Sequence, residues 1–489
     1  MIENTKDKYI PIMITALIFF VFLLSVFFFQ KQSLRLDEAQ SLWQASYTPL
    51  KVINIVAQDV HVPLYHVILH FWQLFFGTEV HIARLLSLIF FISSIPVVYA
   101  LGKLCYSKMT ALFATVLFSI SPFMNWYGNE IRMYSLFTFI VLLNQYFFVK
   151  ILKNTSHRAW VGFAISAIFG MYTHYFFFLI LLVDILFFLY NKKLFEKDAM
   201  KKFAKIFGLL FIIFIPWIIY VFYLGQISNT TPLLQSPTTV NFFNTFSEFL
   251  FGFQTDHLNT ILVSLWPLTI LFVFLSLRRN KRIMPETIYL ILAFLLPNIV
   301  AFGVSLLLRP VYVTRYLIFT MPFMYFVISW LLSIYPKKIA MFGRALLIII
   351  MISTLIIEAV SASTPVREDY REAAEYLEEH ASSSHIIVVS APFTIFPVLY
   401  YYDGSSALAT IPIWNMRDKG PIPPFIEEKL PTELEIVKAN HDYMWLLLSY
   451  DQGYQEKLRI YMDTHLERTF YKQFSPGLYL YGYKLRYYD

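Results

Sequence analysis

Cysteine and glycine-rich motifs are scarce in this 489-residue sequence, and their scarcity excludes several classes of protein. Cys105 is the only cysteine, so the chain contains no intramolecular disulfide and no cysteine-based metal site. We find no glycine-rich phosphate loop, no Walker pattern, no Gly-x-Ser-x-Gly elbow and no internal repeat. The sequence therefore offers none of the usual signatures of a nucleotide-binding site or of a serine hydrolase.

Charged residues are also few. They make up 15% of the chain, whereas 58% of the residues are hydrophobic, and soluble domains usually carry about 25% charged residues. The N-terminal apolar run lacks an Ala-x-Ala-like cleavage site, which favours a retained helix. Eleven apolar runs predict about 11 transmembrane helices, at residues 9–29, 80–101, 109–123, 134–149, 159–174, 175–190, 206–224, 258–277, 286–307, 316–335 and 345–362.

The basic residues between these runs predict the orientation of the chain. One alternating set of connections holds twenty Lys and Arg residues, beginning with Lys6 and Lys8, and the other set holds seven. Basic connections stay in the cytoplasm, so we expect a cytoplasmic N-terminus in a cell (cytoplasmic or inner) membrane. The net charge of +7 is then explained without a nucleic-acid partner.

The first external loop, residues 30–79, carries an adjacent acid pair. Asp37 and Glu38 begin a predicted short helix directly after the first span. A carboxylate beside an apolar wall can act as a general base on a hydroxyl group. Alternatively, the pair only complements the dipole of the helix.

A second polar cluster precedes an amphipathic helix predicted at residues 63–76, which is too short to span and fits a helix lying in the interface. Asp59, His61 and Tyr65 could bind a polar ligand, although Asp59 could also only cap this helix. His66 and His70 lie four residues apart and share a helical face. They are weak candidates for a metal site, because no third ligand is placed by the sequence.

A third group consists of polar residues at the outer ends of helices. Four of them are arginines, which suit bidentate recognition of phosphate, and the alternative is that they anchor helices at lipid headgroups. The arginines are Arg84, Arg132, Arg309 and Arg315, and the polar neighbours are Glu130, Tyr134, His174, Tyr175 and Tyr316.

The composition changes after the last apolar run. Residues 363–489 alternate predicted helices and strands, with helices at 367–382 and 452–465 and strands at 385–390, 443–449, 469–474 and 478–485. This alternation predicts a small α/β domain on the extracytoplasmic side, following a membrane domain over residues 1–362.

Several motifs resemble the GT-C membrane glycosyltransferases of the glycosyltransferase 39 type, which include protein O-mannosyltransferases and the aminoarabinose transferase that modifies lipid A. The closest resemblance is to their bacterial mannosyltransferase-like branch. The Asp-Glu of the first external loop is matched by Asp37 and Glu38, and the Asp-x-His-Pro-Pro-Leu-Tyr segment by residues 59–65, with Val62 replacing the first Pro. Residues 84–87, residues 130–134 (with Ile131 replacing the usual Ala) and Arg315-Tyr316 match three further motifs.

The resemblance implies a GT-C fold and an inverting transfer of a monosaccharide from a polyprenyl-phosphate donor to a lipid, glycan or protein acceptor on the outer face. It implies Asp37 as general base with Glu38 supporting it. The donor phosphate would be bound by Arg84, Arg132, Arg315 and Arg309. The substrate cavity would contain Asp59, His61, Tyr65, Glu130, Tyr134, His174, Tyr175 and Tyr316. No cofactor is required, and a divalent metal is compatible but not indicated.

Two other classes of protein remain open at this point. A transporter or flippase for a lipid-linked sugar would be expected to show repeated halves or acids in mid-helix, and Asp184 is the only carboxylate well inside a predicted short span. A non-catalytic scaffold of an envelope-polymer assembly would use Asp37 only structurally.

Overall fold

The protein forms two compact units. A computed structural model describes residues 9–153, 156–224, 234–279, 283–361, 363, 365–415 and 422–485. Lys6, Lys8, Lys281 and Arg282, which contribute to the orientation prediction, lie outside these ranges. Unit 1 contains described residues 9–30, 48–224 and 234–360, and unit 2 contains residues 31–47 together with the segment from 361 onward. The acidic part of the first external loop thus belongs to unit 2, whereas the sequence analysis grouped the whole loop with the membrane domain.

Helices dominate the chain as far as Val360. In order they are α1 (Ile10–Leu24, extended by a π-helical turn at Ser25–Phe29), α2 (Leu36–Ala45), α3 (Pro49–Ala57), α4 (Leu64–Phe76), α5 (Val80–Cys105), α6 (Lys108–Ser119), α7 (Pro122–Gly128), α8 (Tyr134–Lys153), α9 (His157–Met171), α10 (Phe177–Tyr190), α11 (Ala199–Tyr223), α12 (Thr239–Phe251), α13 (Asp256–Ser264), α14 (Trp266–Arg279), α15 (Pro285–Leu307), α16 (Met321–Ser333) and α17 (Lys337–Val360). Short 3₁₀ turns lie at Lys192–Leu194 and Thr314–Thr320. All of these helices except α2 belong to unit 1.

Eight helical segments among the described residues are long and apolar enough to cross a membrane. They are Ile10–Phe29, Val80–Cys105, Tyr134–Lys153, Ala199–Tyr223, Asp256–Arg279, Pro285–Leu307, Thr314–Ser333 and Lys337–Val360. A ninth span results if α6 and α7, which meet at 58°, count as one. Each of the eleven predicted apolar runs contains a helix, but α9 and α10 are only 15 and 14 residues long, so the number eleven stays a prediction.

The spans differ in how much of their surface other helices cover. Tyr134–Lys153 and Thr314–Ser333 are largely buried, whereas Ile10–Phe29 and Asp256–Arg279 expose most of their apolar side chains. Exposed apolar surface on this scale is stable only against lipid or a partner. The multi-pass membrane character predicted from the composition is therefore confirmed.

The short helix α4 is amphipathic in the way that the sequence indicates. It buries one face, which contains Tyr65, His66, Leu69 and Gln73. Its exposed residues are apolar, namely Phe71, Leu74, Phe75 and Phe76. Helices with this division of residues lie along a membrane interface, so α4 directs its buried face toward the rest of unit 1.

Unit 2 contains α2 and a five-stranded mixed sheet. Its further elements are α18 (Tyr370–His380), β1 (His385–Ser390), α19 (Ile395–Tyr401), β2 (Ala407–Thr410), α20 (Leu430–Lys438), β3 (Tyr443–Ser449), α21 (Gln455–His465), β4 (Glu467–Ser475) and β5 (Leu478–Lys484). The strand order is β2-β1-β3-β5-β4, with β1 parallel to β2 and β3, and β5 antiparallel to β3 and β4.

Helices cover both faces of the central strands. One face carries Val388, Met444 and Leu446, which pack with Leu434 and Leu458 from α20 and α21. The opposite face packs against α18 and α19. Strands buried on both faces read as continuous apolar runs, which is why β1 and β3 were predictable from their sequences.

Candidate active site

The acid pair lies at the start of α2, and its two carboxylates differ in their surroundings. Glu38 is fully buried, and its Oε2 accepts a hydrogen bond from the backbone N of Arg35 at 2.9 Å. Glu38, at the third helical position, thus bonds back to the backbone of the N-cap residue Arg35, as the glutamate of a capping box does. Asp37 is only half-buried. Glu38 therefore fixes the start of the helix, and Asp37 is the more accessible acid.

Contacts within unit 2 hold α2 and the turn before it. The backbone N of Leu34 donates to the Tyr401 hydroxyl at 2.9 Å, and the ring of Trp43 packs on Phe396 with the ring centres 5.0 Å apart. These contacts join the acid helix to α19. The backbone from which Asp37 projects is therefore fixed by the C-terminal part of the chain.

In unit 1, four residues form a buried group that we call the histidine cluster: His61, Tyr65, His66 and Arg132. Arg132 Nη2 lies 2.8 Å from His61 Nε2, and the rings of His61 and His66 stack with centres 6.0 Å apart. The Tyr65 hydroxyl lies 3.0 Å from Ser87 Oγ, which also donates to the Arg132 carbonyl at 3.4 Å. The structure thus brings together side chains that the sequence places in two separate motifs.

Local backbone geometry explains how these side chains meet. Pro63 directly precedes α4, and the backbone N of Leu64 donates to the Tyr172 carbonyl at 3.0 Å, which ties the start of α4 to the end of α9. Arg132 follows a tight turn in which its backbone N donates to the Glu130 carbonyl at 2.7 Å. Asp59 accepts a hydrogen bond from the backbone N of Val60 at 2.7 Å.

His66 is held in its neutral form. It is fully buried, and neither ring nitrogen has a hydrogen-bond partner among the residues described. Burial lowers the pKa of His66 well below its ordinary value, and the neighbouring His61 and Arg132 add to this effect. Within the described ranges, no three His, Cys, Asp or Glu side chains come close enough to hold a metal ion. The weak metal hypothesis for His66 and His70 therefore gains no support.

Aromatic residues from the α9–α10 turn border the histidine cluster. His174 stacks on Phe137 at 4.9 Å, its Nδ1 accepts from the backbone N of Phe176 at 3.1 Å, and its ring lies 5.3 Å from that of Tyr316. The Tyr175 hydroxyl accepts from Trp217 Nε1 at 3.0 Å. His174 also interacts electrostatically with Arg132, so it connects the histidine cluster to the segment that carries Arg315.

A second group, which we call the tyrosine cluster, consists of Tyr127, Glu130, Tyr134, Glu248 and Arg315. The rings of Tyr127 and Tyr134 meet edge to face, with their centres 5.0 Å apart. Tyr127 also interacts electrostatically with Glu130, Glu248 and Arg315. The guanidinium of Arg315 lies 5.7 Å from the ring centre of Tyr316. Three of these five residues, Glu130, Tyr134 and Arg315, are predicted site residues.

Neither Tyr127 nor Glu248 was predicted as a site residue, and of the two Glu248 is the one that adds a carboxylate to the cluster. It lies on α12 and accepts a hydrogen bond from the Thr314 side chain. A signal was available, because Glu248 is a lone carboxylate within the aromatic run from Phe242 to Phe253. A charge in such a run needs a polar partner or a function.

Two of the four predicted phosphate-binding arginines, Arg84 and Arg309, lie outside the histidine and tyrosine clusters. Arg84 is fully buried, and its Nη1 donates to the carbonyls of Phe29 and Gln30 at 3.1 and 3.3 Å, at the end of the first span. Carbonyls at a helix end are natural partners for a cation. Arg309 is exposed. Arg132 and Arg315 are thus the arginines that the structure places in the two clusters.

Comparison with known proteins identifies the class of fold. Residues 60–220 match the family model of the dolichyl-phosphate-mannose-protein mannosyltransferases. The apo structure of ArnT from Cupriavidus metallidurans superposes with a TM-score of 0.62 at 10% identity, covering 96% of this chain and 97% of that one. The structure of the same protein bound to undecaprenyl phosphate gives 0.58, also at 10% identity and with the same coverage. The arabinofuranosyltransferase AftD from Mycobacteria gives 0.53 at 11% identity, covering 97% of this chain and 40% of that one.

These matches confirm the resemblance inferred from the motifs: the chain has the fold of the GT-C membrane glycosyltransferases of the family 39 type. The matched residues 60–220 include the histidine cluster and part of the tyrosine cluster. No curated protein sequence matches the chain.

Proposed function

We propose that this protein transfers a monosaccharide from a polyprenyl-phosphate donor to an acceptor hydroxyl on the outer face of the cytoplasmic membrane. The observation that carries the proposal is the pair of adjoining clusters in unit 1, where Arg132 and Arg315 are surrounded by histidine and tyrosine side chains. Guanidinium groups bind phosphate, and aromatic and polar side chains together suit a sugar. The fold shared with ArnT, which has been crystallised with undecaprenyl phosphate, supports a lipid-linked donor.

The proposed reaction is a single in-line displacement. Asp37 accepts the proton of the acceptor hydroxyl while its oxygen forms a bond to the anomeric carbon of the sugar. The bond from that carbon to the phosphate oxygen breaks, and the polyprenyl phosphate leaves with both electrons. One displacement inverts the anomeric configuration. Arg132 and Arg315 stabilise the charge that develops on the departing phosphate.

The transporter hypothesis gains little from the structure. Asp184, the one carboxylate that could serve it, accepts hydrogen bonds from the Tyr289 hydroxyl at 2.5 Å and from Gln145 Nε2 at 3.3 Å. A carboxylate bonded in this way between helices is a structural contact. We therefore keep glycosyl transfer as the proposal.

The direct test uses the purified full chain in lipid nanodiscs with polyprenyl-phosphate mannose, glucose and arabinose as donors and extracted envelope lipids and glycans as acceptors. We expect sugar to move from at least one donor with release of polyprenyl phosphate. Mass spectrometry of envelope glycans from a deletion strain should show the loss of one sugar. Unchanged glycans together with no transfer from any donor would contradict the proposal.

We also expect unit 2 to face the outside, since the basic connections predict a cytoplasmic N-terminus. The measurement replaces Cys105 by Ser and introduces Glu456→Cys on the exposed surface of α21. An impermeant thiol reagent should label this variant in intact cells. The matched control is Lys108→Cys, exposed on the opposite set of connections, which should be labelled only after lysis. The reverse pattern would overturn the orientation.

A further inference from the structure

Glu248 projects from a helix whose position is fixed on several sides. The Thr238 side chain caps the start of α12 by accepting from the backbone N of Asn241. The carbonyl of Phe249 accepts hydrogen bonds from the Tyr325 hydroxyl and from Ser121 Oγ. The helix ends at Gly252, where φ is +68°, a conformation that favours glycine. The backbone of Glu248 is therefore rigid.

A chain of hydrogen-bonded hydroxyl groups ends at the carboxylate of Glu248. Glu248 accepts from Thr314, and one turn earlier on α12 Thr245 Oγ1 lies 3.3 Å from Thr314 Oγ1 and accepts from the Tyr312 hydroxyl at 2.9 Å. Arg315 directly follows Thr314 in the chain. The carboxylate thus lies beside the segment that carries one of the two clustered arginines.

Accessibility separates Glu248 from the other carboxylate of the tyrosine cluster. Glu130 is 4% exposed, whereas Glu248 is only half-buried. Glu248 therefore retains access to the surface of unit 1 that Glu130 lacks.

We propose that Glu248 is a specificity-determining residue of the transfer reaction, where it accepts hydrogen bonds from hydroxyl groups of the sugar whose phosphate Arg315 binds. This inference rests on the proposed function and adds that Glu248 recognises the hydroxyl groups of the donor sugar. An ionised carboxylate only accepts hydrogen bonds, and a guanidinium only donates them. Both groups interact with Tyr127, and together they suit a sugar phosphate, which presents hydroxyl donors on one part and acceptor oxygens on the other.

The ionisation of Glu248 gives the inference a pH signature. Burial raises the pKa of Glu248 to about 7, and the hydrogen bond from Thr314 opposes that effect. The titratable groups that face it are Tyr127 on α7 and Tyr312 before α16. Arg315 also interacts electrostatically with Tyr127, and Glu358 on α17 accepts a hydrogen bond from the backbone N of Phe253 at 2.9 Å. The carboxylate form dominates above this pKa, so affinity for the sugar should rise as the pH passes through neutrality.

The test compares the binding of glycosylated and bare lipid, and so does not depend on transfer. The purified full chain and Glu248→Gln are titrated with polyprenyl-phosphate mannose, glucose and arabinose and with polyprenyl phosphate alone. At about pH 8, the parent protein should bind one glycosylated lipid about tenfold more tightly than Glu248→Gln does, and at about pH 5.5 the two should agree because Glu248 is then protonated. Both proteins should bind the bare lipid equally at either pH.

Thr314→Val and Glu248→Ala separate recognition from a structural role. The glutamine of Glu248→Gln can still accept from Thr314, so a purely structural role would leave that variant unchanged. If the role is only structural, Thr314→Val should lose as much affinity for the glycosylated lipid as Glu248→Ala does. That result would show that the inference is wrong. A parent protein that binds all four lipids equally would also overturn it. If Glu248→Gln loses the preference for a glycosylated lipid but the parent transfers no sugar, the inference stands and the proposed reaction fails.

Discussion

Replacing Asp37 with Asn is expected to lower the rate of sugar transfer by about 10²- to 10⁴-fold, the usual contribution of a general base. Asn keeps the shape of the side chain but cannot accept the acceptor's proton. Asp37 is the half-buried acid of the pair, and Ser41 Oγ donates to its backbone carbonyl at 2.9 Å. The substitution therefore leaves this backbone hydrogen bond in place. Steady-state transfer by the purified full chain measures the effect.

Glu38→Gln is the matched control for Asp37→Asn, because it changes the neighbouring acid in the same way. Glu38 is fully buried, and its carboxylate caps α2 through the backbone N of Arg35. A glutamine at this position can still accept from the backbone N of Arg35, so we expect a small loss of thermal stability and a rate near that of the parent. If Asp37→Asn transferred sugar at the parent rate, Asp37 would not be the base. If Glu38→Gln instead lost the activity, the base assignment would pass to Glu38.

The membrane architecture was largely predictable, because each apolar run is a local property of the sequence. Only helices that satisfy their own backbone hydrogen bonds can cross lipid, so a long apolar run predicts a helix. The runs predicted at 80–101 and 134–149 correspond to the observed helices Val80–Cys105 and Tyr134–Lys153. In unit 2 the strands β1 and β3 were predicted with their observed limits. The short edge strand Ala407–Thr410 was missed, because four residues of mixed burial give no periodic signal.

The candidate site was predictable only where its residues share a motif. Asp59, His61 and Tyr65 lie within one matched segment, and the structure places His61 against Arg132 through a turn that the sequence does not specify. Glu248 could not be connected to Tyr127 or Arg315 from the sequence, because tertiary packing alone brings these distant positions together. Similarly, no local pattern tells an arginine that binds helix carbonyls, such as Arg84, from one that faces a ligand.

The second large effect concerns the donor phosphate. Arg315→Ala should weaken the binding of polyprenyl phosphate by about 2 kcal/mol, the lower part of the range for a desolvated charge pair, because its side chain is half-buried. This loss corresponds to a roughly 30-fold higher dissociation constant. Arg315→Lys should recover only part of the affinity, since an ammonium group lacks the two-pronged geometry of guanidinium.

Arg309→Ala provides the matched control for this prediction, because Arg309 lies six residues before Arg315 and is exposed. Its loss should change the binding energy by less than about 1 kcal/mol. Arg84→Ala gives a second comparison: removing the donor to the carbonyls of Phe29 and Gln30 should lower thermal stability by an amount typical of a broken buried hydrogen-bond network, about 1–3 kcal/mol. Calorimetric titration of folded variants with polyprenyl phosphate separates the two effects. Equal affinity of the parent and Arg315→Ala would mean that this arginine only packs on Tyr316, and that the phosphate is bound elsewhere.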